Sequence, residues 1–425
     1  MTDRLRSQDG RYELVMQNDG NLVVYGANGR PVWASGVDQN PDQPQVPDPP
    51  TTPPGANLAP LTIDGITFRE DGRLWKYRCT SAFLLYFQWL NGLAAAEQFV
   101  KWALSNGFNT VRVFGMINWP DVRFGPGPRS AWDTYIRQIE AFLKWTNSWG
   151  LRVEWTNLAD AKALMPDQYD QIAYTRDVAD MMRGFGLRNF MEACNEPFHA
   201  VNQIDANAIT PHSDVVHLAL GDYQFRINGD EGFYYHRNYF TLHAPRDAEW
   251  MRKGGKDLLE ITRLGYTKDP NNPETANMKP IPMPALNDEP MGIGVEEPGR
   301  RSMDPKAHAE QQAAAMLFAA GSTVHGDYGL RTRVPEGFEQ ECVWAIVKAW
   351  DAVPVDMYLV GRYTRSGMAD CPLKWKNDAL RVYAMIAGEH ATAVVIQPNR
   401  SEDFEPASGW QVESRVGPVY NLMRR

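Results

Sequence analysis

Along residues 1–36, apolar and polar positions alternate in short runs. Tyr12–Gln17, Asn21–Tyr25 and Pro31–Ala34 each read as a strand. Asn18-Asp19-Gly20 and Ala27-Asn28-Gly29 stand between them as tight turns, because asparagine and glycine accept the positive φ that such turns require. From Asp38 to Pro60 the alternation stops. Pro, Gln, Asp and Thr crowd this stretch and Pro53-Pro54-Gly55 resists helix, so it reads as an extended linker. From about residue 61 strand-like and helical periods alternate. Apolar strand runs fall at Thr80–Phe87, Thr110–Gly115, Arg152–Thr156, Asn189–Cys194, Val215–Leu220, Tyr239–His243, Ile281–Asn287 and Ser322–His325. Amphipathic helical stretches lie between most of them, including Ala94–Ser105, Ala131–Trp149, Gln168–Phe185 and Pro305–Ala320. Asp304-Pro305 is a helix-start signal, and Gly107, Gly150, Gly186 and Gly321 stand where helix ends call for a left-handed residue. Residues 221–238 show no helical period. The tail returns to strands, at Leu380–Ile386, Ala391–Ile396, Trp410–Val416 and Pro418–Leu422.

Eight strands alternating with helices predict an α/β fold of the (β/α)8 TIM-barrel type, although a doubly wound open sheet gives a similar alternation. The expected organisation is a β arm over 1–37, a linker over 38–60, a barrel over 61–353 and a small C-terminal β-domain over 354–425.

The net charge of -9 argues against a nucleic-acid partner, which usually meets a basic surface. No apolar run is long enough to span a membrane. Met1 to Arg6 lacks the apolar stretch of a secretory signal, so classical export is not expected. Cys79, Cys194, Cys342 and Cys371 lie far apart with no CxxC pair, which reads as buried thiols rather than a disulfide framework or zinc site. The 8 histidines show no HxH or HExxH spacing, so neither metal nor cofactor is expected. The 14 Trp and 17 Tyr include flat rings suited to stacking on sugars. Trp89, Trp119 and Trp155, near strand ends, are candidates for that role or for core packing.

In a parallel barrel, chemistry sits where the strands end at the C-terminal face. The fourth strand ends in Cys194-Asn195-Glu196-Pro197 and the seventh in Asn287-Asp288-Glu289-Pro290. Strands four and seven stand on opposite sides of an eight-stranded ring, so Glu196 and Glu289 can face each other across a cleft. Glycoside hydrolysis requires such a pair, one carboxyl group protonating the leaving oxygen while the other attacks the anomeric carbon. Glu296 and Glu297 are rivals for the second position. Glu289 is preferred because the run from Ile281 through Leu286 gives it a strand to end.

Asn195-Glu196-Pro197 after a fourth strand, with a second Glu after a seventh, resembles the clan of TIM-barrel retaining glycosidases that includes cellulases and mannanases. The resemblance spans roughly residues 61–352. It implies Glu196 as general acid/base, Glu289 as nucleophile and Asn195 as ligand of the hydroxyl beside the reacting carbon. It also implies Arg112, in Thr110-Val111-Arg112-Val113-Phe114, as the cation that keeps the nucleophile ionised, and His243 or Tyr239 as its support. The clan often ends its eighth strand with Trp. Here the chain reads Thr323-Val324-His325-Gly326-Asp327-Tyr328, leaving His325 or Tyr328 to substitute. The implied substrate is a β-linked poly- or oligosaccharide. A catalytically silent glycan-binding or virion-type structural module is the alternative, and it would not need two opposed carboxylates.

Gln17, Asp19, Asn21, Val23 and Tyr25 fit the pattern Q-x-D-x-N-x-V-x-Y at every fixed position. This resembles the mannose-binding repeat of the monocot bulb lectins, and residues two apart on a strand share a face. The resemblance implies a mannose-type glycan as partner. A prism of that kind takes three repeats and this chain has one, which is too little core to be stable alone, so a homotrimer through the arm is expected. An extracellular or virion-associated setting, reached by lysis or on a particle, would reconcile such a substrate with the absent export signal.

Overall fold

The structure is a computed structural model. It describes residues 4–7, 12–16, 22–26, 31–34, 58–195, 201–202, 216–220, 240–242, 284–287, 289–290, 292–294, 305–374, 381–396 and 404–425. The fold is mixed α/β. Its central sheet consists of β1 (Tyr77–Ser81), β2 (Thr110–Phe114), β3 (Arg152–Leu158), β4 (Phe190–Cys194), β5 (Val216–Leu220), β6 (Phe240–Leu242), β7 (Ala285–Asn287) and β8 (Gly321–Val324). Each strand pairs in parallel with its neighbour in chain order. β8 returns to β1 through Gly321↔Tyr77 and closes a barrel. Helices follow β1, β2, β3, β7 and β8. Most of the connecting chain after β4, β5 and β6 lies outside the described residues.

Local sequence explains the helices. Trp132–Ser148 buries Trp132, Tyr135, Ile139, Phe142, Leu143 and Thr146, a stripe at helical spacing laid on β3. Asp167 caps Gln168–Arg183 by accepting from the backbone N–H groups of Tyr169 (2.8 Å) and Asp170 (3.2 Å). Gly107, Gly150 and Gly186 carry positive φ at or just after helix ends. Gly321 serves a different purpose. It opens β8, and a Cβ there would stand 2.1 Å from the Tyr77 carbonyl oxygen, so its lack of a side chain lets β8 approach β1.

The first strand differs from expectation. It runs Tyr77–Ser81, and Leu85–Asn91 is a helix burying Leu85, Tyr86 and Trp89. A short apolar run carries no period that separates strand from helix, and here packing against Phe142 and Trp155 selects the helix. A three-stranded antiparallel sheet, Thr62–Asp64, Thr67–Glu70 and Arg73–Trp75, precedes the barrel. Its Phe68 and Trp75 pack on Tyr77 and Phe190 at the starts of β1 and β4, closing the N-terminal mouth with an apolar plug.

The C-terminal strands form one antiparallel sheet of Arg362–Arg365, Arg381–Ala387, His390–Ile396, Val419–Arg424 and Trp410–Val416, in that spatial order. Strand alternation gives it two apolar faces. Tyr383, Met385, Val394 and Val419 join the core around the barrel, while Val382, Ala384, Ile386 and Leu422 form a second core with Phe404 and Trp410. The helix Pro305–Phe318 is therefore covered on both sides. Every residue from Ala307 to Phe318 is buried, including His308, Glu310, Gln311 and Gln312. The expected amphipathic helix is thus one whose polar residues after Lys306 are buried with the apolar ones.

In the arm, Arg4–Arg6, Tyr12–Met16, Leu22–Gly26 and Pro31–Ala34 form a four-stranded antiparallel sheet. Met16 pairs with Leu22, so the second and third strands bracket the motif. Gln17, Asp19 and Asn21 lie outside the described residues. Val23 and Tyr25 lie on the third strand.

Candidate active site

The barrel lumen is built in layers by every second residue of its strands. At the bottom Arg152 binds Glu70, and its guanidinium lies 5.4 Å from the Trp75 ring centre. Above it Tyr77 donates to Glu154 and lies 3.3 Å from the Thr323 hydroxyl. Burial pushes the Tyr77 phenol well up, with Cys79 and Glu154 adding to it. Burial and then Glu154 push up the Cys79 thiol. Both groups are neutral at physiological pH.

The top layer holds the candidate chemistry. Arg112 projects inward from the middle of β2 and is fully buried. Its Nε and Nη2 donate to Glu192 Oε2 on β4 at 3.1 and 2.8 Å. Nη2 also donates to Asn195 Oδ1 at 2.8 Å, and Nη1 to Glu289 Oε2 at 2.7 Å. The ring centres of Phe83 and Phe114 stand 5.4 and 5.3 Å from the guanidinium carbon, and these two rings stack on each other at 3.8 Å. Thr156 Oγ1 donates to Glu192 Oε2 at 2.5 Å. Across the mouth, His325 Nδ1 pairs with Ser81 Oγ at 2.8 Å, and its ring lies 5.6 Å from Phe83.

The structure thus brings Arg112, Asn195 and Glu289 onto one guanidinium. The backbone N–H of Asn195 donates to Leu158 (2.9 Å), and its carbonyl accepts from Asn202 Nδ2 (2.7 Å). Arginine only donates, so the oxygen of the Asn195 side chain must face it, which turns the amide NH2 toward other partners. Glu289, just beyond β7, keeps 15% of its side chain exposed, whereas Glu192 and Arg112 keep none. A buried cation holding a partly exposed carboxylate at a barrel mouth can stabilise that carboxylate in its charged, nucleophilic form.

Other expectations fare differently. Trp155 is fully buried and packs outward on Tyr86 and Phe142, between barrel and helices, so its assignment to sugar stacking is corrected to core packing. Trp89 belongs to the same layer. Tyr328 likewise faces outward, its hydroxyl 2.9 Å from Thr80 Oγ1 and its ring against Trp102, which leaves His325 as the eighth-strand residue near the mouth. Trp119 lies at the turn between the short strands Ile117–Asn118 and Arg123–Phe124. It is half-buried, with the Arg331 guanidinium 5.6 Å from its ring centre. Glu196, Tyr239, His243, Glu296 and Glu297 lie outside the described residues. All four cysteines are buried thiols.

Sequence reasoning missed Glu192, Thr156, Ser81, Phe83 and Phe114. For Glu192 a signal was present. An ionisable residue in the middle of an otherwise apolar strand recurs in Thr110-Val111-Arg112-Val113-Phe114, Arg152-Val153-Glu154-Trp155 and Phe190-Met191-Glu192-Ala193-Cys194. The ladder places Glu154 beside Arg112 and Thr156 beside Glu192.

The chain matches no known protein-family model and no curated protein. Among solved structures it is similar to a glycoside hydrolase, with a TM-score of 0.54 and 10% identity over 86% of this chain and 96% of that one. It is also similar to a protein of Bacteroides vulgatus assigned to the glycoside hydrolases, with a TM-score of 0.50 and 13% identity over 92% of this chain and 74% of that one. At these identities the likeness is one of fold.

Proposed function

We propose that the chain is a retaining glycoside hydrolase of a β-linked poly- or oligosaccharide, built on a complete (β/α)8 barrel. The observation that carries this reading is the contact of Arg112 Nη1 with Glu289 at 2.7 Å, made by a guanidinium that also binds Asn195, the residue directly before Glu196. In this reading Glu196 protonates the glycosidic oxygen while Glu289 attacks the anomeric carbon, forming a covalent glycosyl-enzyme. Water then attacks that carbon with Glu196 as base, and Glu289 leaves as carboxylate. Arg112 holds the nucleophile charged and in place. The Asn195 NH2 donates to the hydroxyl next to the reacting carbon, and Trp119 and His325 border the sugar. The likeness to glycoside hydrolase folds supports the reading. The arm is proposed as a glycan-targeting or trimerising element, supported by the five matching positions from Gln17 to Tyr25.

The test is release of reducing sugar from β-mannans, β-glucans, xylans and chitosan, with Glu196→Gln and Glu289→Gln alongside. Activity that collapses in both variants establishes the pair. Activity that survives Glu289→Gln moves the nucleophile to Glu296 or Glu297. Silence of the folded native protein across the panel turns the assignment toward a binding module.

A further inference from the structure

We infer that Glu192 is a positioning residue for the reaction at Glu289: it clamps one edge of the Arg112 guanidinium so that Nη1 is held toward the nucleophile. The inference rests on the glycosidase reading above. A single oxygen, Glu192 Oε2, receives Nε, Nη2 and the Thr156 hydroxyl at 3.1, 2.8 and 2.5 Å. Three donors converging on one oxygen fix the carboxyl group of Glu192 relative to the guanidinium. Both side chains of the clamp are fully buried, so its charges are poorly screened by solvent.

The backbone fixes the clamp from behind. Arg112 pairs in register with Glu154 of β3, and Thr156 of β3 with Glu192 of β4, so three adjacent strands carry its parts. Phe83 and Phe114 limit the guanidinium from the mouth side. With two edges engaged by Glu192 and Asn195, rotation about the long arginine side chain would break several contacts together. Glu289 lies just beyond the end of β7, and Arg112 Nη1 donates to its Oε2 at 2.7 Å, so the placement of that guanidinium bears on the direction of the carboxylate. Misplacing a reacting group by about 1 Å costs on the order of 100-fold in rate, so a carboxylate that never touches substrate can still govern turnover.

The inference separates from a merely structural role by which kinetic constant moves. Loss of the clamp should disturb the attacking carboxylate and leave ground-state sugar binding nearly intact. Glu192→Gln keeps the shape and an acceptor oxygen but removes the charge. With the polysaccharide that the native protein cleaves, kcat is expected to fall about 10- to 100-fold with KM changed less than about twofold. An aryl β-glycoside with a good leaving group relieves the need for the general acid, so it should not rescue Glu192→Gln if the defect lies at the nucleophile. Thr156→Val removes only the hydroxyl behind Glu192 and should give a smaller fall of the same kind. It keeps the test open where Glu192→Gln fails to fold. Unchanged kcat in both folded variants, a loss confined to KM, or full rescue by the good leaving group overturns the inference while leaving the glycosidase reading standing. A native protein that cleaves nothing overturns both.

Discussion

Replacing Arg112 with Met tests the electrostatics of the site most directly. Among the described residues the native side chain makes four hydrogen bonds, to Glu192 twice, to Asn195 and to Glu289. Methionine fills much of the same volume but supplies no donor and no charge. Glu192 is then left without its cation in a site with no solvent exposure. Removing one partner of a buried ion pair costs about 3–5 kcal/mol, a large share of the roughly 5–15 kcal/mol by which folded domains are stable. The assay is urea unfolding followed by tryptophan fluorescence, and the variant should unfold at clearly lower urea than the native protein. Adding Glu192→Leu to Arg112→Met removes the stranded charge and should recover much of the loss. A deficit below about 1 kcal/mol, or one that the added Glu192→Leu does not reduce, would refute the claim that Glu192 depends on Arg112 as its buried partner.

Further outcomes follow from other parts of the fold. Gly321→Ala drives a Cβ into the Tyr77 carbonyl and should cost about 1–3 kcal/mol, read as a lower melting temperature. An unchanged melt would mean that β8 and β1 are less tightly apposed than the structure has them. Trp155→Ala should destabilise by about 3–5 kcal/mol without changing KM, and a raised KM at unchanged stability would return the ring to the sugar site. Burial raises the thiols of Cys79 and Cys371 and pushes Cys342 up to about 12, so the native protein should resist thiol reagents at mildly alkaline pH and react after denaturation. A folded-state value above the unfolded one stabilises the protein below the unfolded thiol range. That stability is lost as pH rises from about 8.5 through the folded values, so the urea midpoint should decline across this window. A midpoint that stays flat there would contradict the burial of these groups.

What the sequence determined by itself is what local physics dictates. Strand and helix periods placed seven of the eight barrel strands close to their observed positions, because a strand buried on both faces reads as an apolar run bounded by turns. Helix ends were legible at Pro305 and at Gly107, Gly150 and Gly186, where one residue carries the required φ or cap. Asn195 and Glu289 could be nominated because each follows a strand end, whereas Arg112 was nominated only through the resemblance to the TIM-barrel retaining glycosidases.

Only the tertiary structure decided the rest. The segment from Ala82 to Asn91 is apolar enough for strand or helix, and its neighbours across the core made the choice. Pro305–Phe318 reads as amphipathic in sequence, yet the barrel and the C-terminal sheet bury His308, Glu310, Gln311 and Gln312 along with its apolar residues. Trp155 lies on a strand whose alternation sends it outward, and Tyr328 lies in the short helix Asp327–Arg331 after β8, with its ring against Trp102. Glu192 lies 80 residues from Arg112 in the chain. Its role depends on strand register, a long-range property set by how the sheet curls into a barrel. No local window of sequence contains that information.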